Sequence, residues 1–311
     1  MGIRSPYDRD RFESAYDKVM TKWPAGREAV LVPTPFGETY VNVCGPVDGR
    51  PLVLLPGGGG ATSASWYAQT AQLARTHRLY APDLIGAPGR SVPAAGRRPR
   101  TVADLVTWLD AVLDGLRAPV VDLGGHSYGG WIALHYALRA PGRVRRLFLL
   151  DPTQCFAGFE TAYLLHALPM LLRPTPRRVR TFLEWETGGA ALDPDWLRLQ
   201  EAGAGFPSAR PVTGPRPAPE ALRGLNASVL LLLAGSSRTL PHSRLRSSGG
   251  TPITHLVAAR AGGLLPRVET DILPDVSLPH SRLRSSGGTP IALPHAAPER
   301  LGRHLTGFLG S

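Results

Sequence analysis

The sequence predicts an α/β fold: an eight-stranded, mostly parallel sheet with a helical cap insertion. Three observations predict it. Short β-like apolar runs alternate with helical patterns along most of the 311 residues, the signature of a parallel sheet covered on both faces. Hydrophobic residues make up 43% of the chain and charged residues 19%, enough to bury a full core. The alternation stops between residues 152 and 225 and then resumes, so a long insertion divides one sheet into two parts.

The strand candidates are residues 29–32, 39–44, 51–55, 79–82, 120–123, 147–150, 229–234 and 269–273. The clearest helix covers 101–116. Thr101 and Asp104 form a capping pair there, and Leu105, Leu109, Val112 and Leu116 share one face; Gly115 is expected to fray its end. The insertion carries helical stretches at 162–172 and 179–186, then a Pro-rich segment at 207–219. It is expected to act as a lid. The chain therefore divides into a first core part at 1–152, a cap at 153–225 and a second core part at 226–311.

Composition sets several function classes aside. No apolar run approaches the roughly 18 residues of a membrane span, so no membrane partner is expected. The first twenty residues are charged throughout and lack an apolar signal core, which points to the cytoplasm. Cys44 and Cys155 are too few for a disulfide framework or a zinc cluster and read as small buried residues. The formal charge of +11 is not a nucleic-acid signature: of 35 basic residues only Lys18 and Lys22 are lysines, and the arginines are dispersed. Nothing in the composition bears on oligomeric state.

One segment repeats without a difference. LPHSRLRSSGGTPI stands at 240–253 and again at 278–291. Two copies are too few for a solenoid, and their Gly, Ser and Pro content reads as exposed loop insertions. Each copy adds two arginines, so four of the +11 charges come from them.

The chemistry centres on Gly125-His126-Ser127-Tyr128-Gly129, a G-x-S-x-G pentapeptide. A buried strand runs directly into it and a helix leaves it, so Ser127 would stand on a sharp strand-to-helix turn. A serine hydroxyl needs a base to take its proton and N–H donors to hold the resulting oxyanion. Pro56-Gly57-Gly58-Gly59-Gly60, directly after an early strand, offers side-chain-free backbone for those donors. A phosphate-cradling reading of this turn lacks the Lys-Ser/Thr that should follow it. His126, His135 and His166 have no paired carboxylates around them, so no metal site is expected. The Asp193-Pro194-Asp195 pair reads as a helix-capping turn.

With the glycine turn, Asp83-Leu84-Ile85-Gly86, the serine pentapeptide and Asp151-Pro152 in this order, the chain resembles the α/β-hydrolase superfamily, in its bacterial carboxylesterase-like branch. Pro33 to Tyr40 and Trp66-Tyr67 share in the resemblance, which runs from about Trp23 onward. It implies Ser127 as nucleophile, oxyanion donors from Gly58 and Tyr128, no cofactor, and a small carboxylic ester as substrate. It also implies an acid after the strand at 228–234 and a histidine after the strand at 269–273. Those are the two loops that the repeated segments occupy. The family's histidine spacing to Pro298 falls on Ile291, and no Asp or Glu lies between Gly235 and Glu269. His280 is the nearest substitute base, with His295 beyond it. Asp151 is the candidate acid, with a turn-forming Asp-Pro as its other reading; His242 cannot play that part. The expected activity is ester hydrolysis by acyl transfer through Ser127. The alternatives are a peptidase or lactonase of the same fold, or an impaired or inactive hydrolase-fold protein that binds a ligand.

Overall fold

A computed structural model describes residues 7–159, 161–187, 191–236, 253–277 and 298–310. In chain order these form α1 (Arg9–Met20), β1 (Glu28–Thr34), β2 (Gly37–Cys44), β3 (Arg50–Leu55), a 3-10 turn (Ser63–Trp66), α2 (Tyr67–Leu73) and β4 (His77–Pro82). There follow β5 (Val92–Pro93), α3 (Val102–Gly115), β6 (Val121–His126), α4 (Tyr128–Arg139) and β7 (Val144–Leu150). Between β7 and β8 (Ser228–Ser236) stand α5 (Thr161–Leu172), α6 (Pro176–Glu186), α7 (Pro194–Gly203) and α8 (Pro219–Arg223). The chain continues with α9 (Ile253–Leu264), β9 (Val268–Ser277) and α10 (Pro298–Gly310).

The strand order is β1-β2-β4-β3-β6-β7-β8-β9, with β5 paired to β2. β1, β2 and β5 run antiparallel to their neighbours, and the six strands from β4 to β9 pair in parallel. Parallel strands must be covered on both faces, which is why their sequences are continuous apolar runs. The pleat then sorts alternate residues. Val53, Leu55, Leu147, Leu149, Leu231 and Leu233 face one core with α3, α4 and α9. Leu52, Leu54, Phe148, Leu150, Leu230 and Leu232 face the other, with α1, α2 and α10.

All eight predicted strands are present. The ninth, β5, is an addition to the prediction: two exposed residues, one of them proline, carry no periodic signal. α3 begins as predicted, Thr101 accepting the Asp104 N–H while the Asp104 side chain accepts the Thr101 N–H. α3 also ends at Gly115, where its end was expected. A Cβ there would collide with Val32 of β1, so the glycine admits close packing of α3 on the sheet. Asp193 caps α7, accepting from the amides of Asp195 and Trp196. The repeated segments lie outside the described residues, save that Ile253, the last residue of the first copy, opens α9.

Candidate active site

Ser127 sits between β6 and α4 with φ 51° and ψ −114°. A side chain rarely adopts such a backbone, and it persists only where the surroundings impose it. Here they do. The Ser127 amide donates to the Leu150 carbonyl at 2.9 Å, and its own carbonyl accepts from the amides of Trp131 at 3.1 Å and Thr153 at 3.3 Å. The flanking glycines have a steric cause: a Cβ on Gly125 would collide with the backbone of Gly129, and one on Gly129 with the carbonyls of Leu55 and Pro56. Only without those carbons can the turn close against the end of β3. The result presents Ser127 at the carboxyl end of a central strand, with the amino end of α4 behind it favouring negative charge.

The glycine turn after β3 lies across from it. A Cβ on Gly58 would stand 3.3 Å from the Tyr128 Cβ, so the two proposed donor segments touch. Gly59 and Gly60 hold positive φ, 71° and 108°, which a side chain would resist. Under Gly57 lies His126, whose imidazole burial pushes down to about 4, so it is neutral near pH 7. Tyr128 stacks on Trp131 at 5.5 Å and donates to the Val212 carbonyl at 2.9 Å, tying the turn to the Pro-rich end of the insertion.

A buried network that the sequence did not reveal ties the segment after the glycine turn to the core. Asp83, at the end of β4, accepts from the Ser63 amide and hydroxyl at 2.8 and 2.7 Å, the Arg90 amide at 2.8 Å and the Tyr16 hydroxyl at 3.1 Å. Asn42 donates to both Tyr16 and Ser63, at 2.7 and 2.9 Å. Burial pushes the Asp83 carboxyl up, and these donors oppose part of that. The network joins α1, β2, the 3-10 turn and the Asp83 loop. The apolar face of α1 (Phe12, Tyr16, Val19, Met20) was legible at helical spacing and was the signal that could have found Tyr16.

Above these elements the insertion encloses a cavity of about 480 Å³. Its volume suits a small organic ligand. It reaches the glycine turn and Tyr128, beside Ser127, and its walls are mainly carbon: Leu84, Trp108, Ile132, Met170, Val179 and Phe206.

The other predicted site residues are distributed unevenly. Asp151 follows β7 with φ 42°, its amide donating to the Leu232 carbonyl of β8 at 2.8 Å, and directly follows Leu150, whose carbonyl accepts the Ser127 amide, so its backbone lies next to the turn that carries Ser127. Its charge helps raise the hydroxyl pKa of Tyr163 on α5, after burial and Glu186. His280, His295 and His242 lie outside the described residues. His135 is buried edge-on against Trp131 at 4.5 Å, and His166 stacks on Trp185 at 4.0 Å. Cys44 and Cys155 are buried free thiols, Cys44 pushed up to about 11 by burial.

The sequence profile described as the Alpha/beta hydrolase family matches residues 52–286. Carboxylesterase YbfK of Bacillus subtilis (strain 168) is 35% identical over 178 residues, 57% of this chain and 58% of that protein. The uncharacterized carboxylesterase nap of the same strain is 30% identical over 273 residues, 85% of this chain and 84% of its own length. In structure, the crystal structure of carboxylesterase CesB (YbfK) from Bacillus subtilis superposes with a TM-score of 0.81 at 28% identity, over 97% of this chain and 98% of that one. With a strained serine turn, an apposed glycine turn and this topology, the chain belongs to the alpha/beta hydrolase family.

Proposed function

We propose that this hydrolase cleaves small carboxylic esters through an acyl-enzyme on Ser127, with the insertion acting as a cap over the core parts at 1–152 and 226–311. The observation that carries the reading is the Ser127 backbone, held at φ 51° directly before Tyr128, which lines the cavity together with the glycine turn. Strain of this kind stays where it has a use. The carboxylesterase names of its relatives support the substrate class, and the buried free thiols suit the cytoplasm.

In this reading the Ser127 Oγ attacks the ester carbonyl carbon while its proton passes to an imidazole, for which His280 is the candidate. The N–H groups of Gly58 and Tyr128 hold the oxyanion. As the tetrahedral intermediate collapses, the C–O bond to the alcohol breaks and the alkoxide takes the imidazolium proton. Water then repeats the steps and frees Ser127. Asp151 is the candidate partner that orients the imidazole and stabilises its charged form. The repeated segment favours a second reading, because it occupies both loops from which the family draws acid and base: a hydrolase-fold protein that binds an ester and turns it over slowly or not at all.

Mass-spectrometric mapping after reaction with a fluorophosphonate, alongside p-nitrophenyl butyrate turnover, tests the proposal. We expect the label on Ser127, and in Ser127→Ala no label and turnover lower by at least about 10³-fold. Labelling that persists in Ser127→Ala overturns the nucleophile. Labelling of Ser127 without turnover selects the second reading.

A further inference from the structure

Helix α5 has two apolar faces, and only one is covered by described residues. Tyr163, Ala167 and Met170 turn inward onto Val179 and Phe182 of α6. Leu164, Leu165, Leu168, Leu171 and Leu172 fall at i, i+1, i+4, i+7 and i+8, one stripe within about 120° of the circumference. Each is between 45% and 75% exposed. Single exposed leucines are ordinary, whereas a contiguous stripe marks a contact surface. From Thr161 to Leu183 the sequence holds no Asp or Glu, while Arg173, Arg177, Arg178 and Arg180 follow the stripe directly. Arg178 donates to the Pro169 and Arg173 carbonyls, Arg180 pairs with Glu201, and Arg177 stands exposed.

We propose that α5 seats the protein flat on an anionic lipid surface, its leucines in the acyl boundary and its arginines among the headgroups. The basic rim selects the sign of the partner, and apolar face plus basic rim is the chemistry of an interfacial helix. The helix also rims the cavity, whose wall includes Met170, Leu171, Leu172 and Arg173, so the surface that docks is the surface that opens to the site. Resting on the ester-hydrolase reading, this names the substrate class as esters partitioned into a lipid surface. A second copy fits the stripe poorly. The stripe is five leucines on one helix of 12 residues, few against the roughly 20–30 residues a side that a specific dimer engages. Facing stripes would also bring like-charged rims together. The expectation of no membrane partner rested on the absence of a spanning segment, and a helix lying in the interface needs none; among the described residues no helix is long and apolar enough to cross a membrane.

Flotation with vesicles of phosphatidylcholine alone, and of phosphatidylcholine with phosphatidylglycerol, tests this on the full chain. We expect the parent to float with the anionic vesicles, and Leu165→Gln/Leu168→Gln to partition about tenfold less or weaker, with p-nitrophenyl butyrate turnover in solution unchanged. Arg177→Glu should float less than the parent, and the gap between them should widen as salt is lowered, since the lost attraction is then less screened. Ser127→Ala should float like the parent, so loss of the catalytic reading and loss of this one are separate results. A parent that stays with the protein fraction in both vesicle types overturns the proposal. So does equal flotation of parent and double-leucine variant, or a parent dimer in sedimentation that the double variant converts to monomer.

Discussion

The two ends of the parallel strands are built on different physics. At the carboxyl ends the chain stores strain: Ser127, Asp151 and Gln154, three of the four described non-glycine residues at positive φ, lie in the turns after β6 and β7. At the amino ends it balances charge. Asp122, fully buried on β6, accepts from Arg145 at 3.0 and 2.5 Å, and the His77 Nε2 stands 3.8 Å away across β3. Each strained residue costs on the order of 1–3 kcal/mol, and the covered sheet between the ends must offset it. A paired buried carboxylate is no net gain by itself, but its partners suffer if it is removed. The difference teaches that the reactive end is the costly end, held in shape by packing, while the far end serves cohesion.

The largest effect is expected at the amino ends. Asp122→Ala should lower unfolding stability by about 3 kcal/mol, because it strips Arg145 of its carboxylate and leaves a hole among buried atoms. Urea melts with activity measured per folded molecule check it. Unchanged turnover is expected; a loss of turnover at unchanged stability would mean that the amino ends are not merely structural.

Acid should sharpen the contrast next. Burial lowers the imidazole pKa at both ends, but the Asp122 charge opposes the shift at His77, whereas nothing opposes it at His126, which falls to about 4. The unfolded chain takes up these protons near pH 6.5 and the folded chain only at lower pH. Stability therefore falls as pH drops from about 6.5 towards about 4, by about 1–2 kcal/mol for His126 at pH 5. His135, also pushed down to about 4, adds in the same direction. Thermal melts between pH 7 and pH 5 should flatten more in His126→Gln than in His77→Gln. The reverse order would contradict the assignment.

The smallest effect probes the strain directly. Glycine tolerates the Ser127 backbone and alanine does not, so Ser127→Gly should be more stable than Ser127→Ala by about 1 kcal/mol. Both should be inactive. Equal melting temperatures would show that the turn is relaxed and that its shape has another cause.

Legibility followed range along the chain. The capping pair Thr101–Asp104, the eight apolar runs and the strand–Ser127–helix sequence are local patterns, and each is present where local chemistry put it. The candidate nucleophile and the glycine turn were therefore readable. The Asp83 network was not, because Tyr16 and Ser63 lie 67 and 20 residues away in sequence and no local rule pairs them. The acid and base are legible only as candidates, Asp151 beside the turn and His280 outside the described residues, since the repeated segment interrupts the spacing that would have identified them.

The sequence by itself determined which residues share a strand face, where α3 starts, and that Ser127 would stand on a strand-to-helix turn, because periodicity, caps and small residues act through neighbours a few positions apart. Tertiary structure alone decided what each face meets. α5 is apolar nearly all round, and its sequence reads equally well with either side inward; only its seat on α6 buries Ala167 and Met170 and leaves the leucines exposed. The cavity likewise arises from the loops after β3 and β4, from α3 and α4 and from the insertion together, a convergence that depends on how distant segments pack and is written in no one of them.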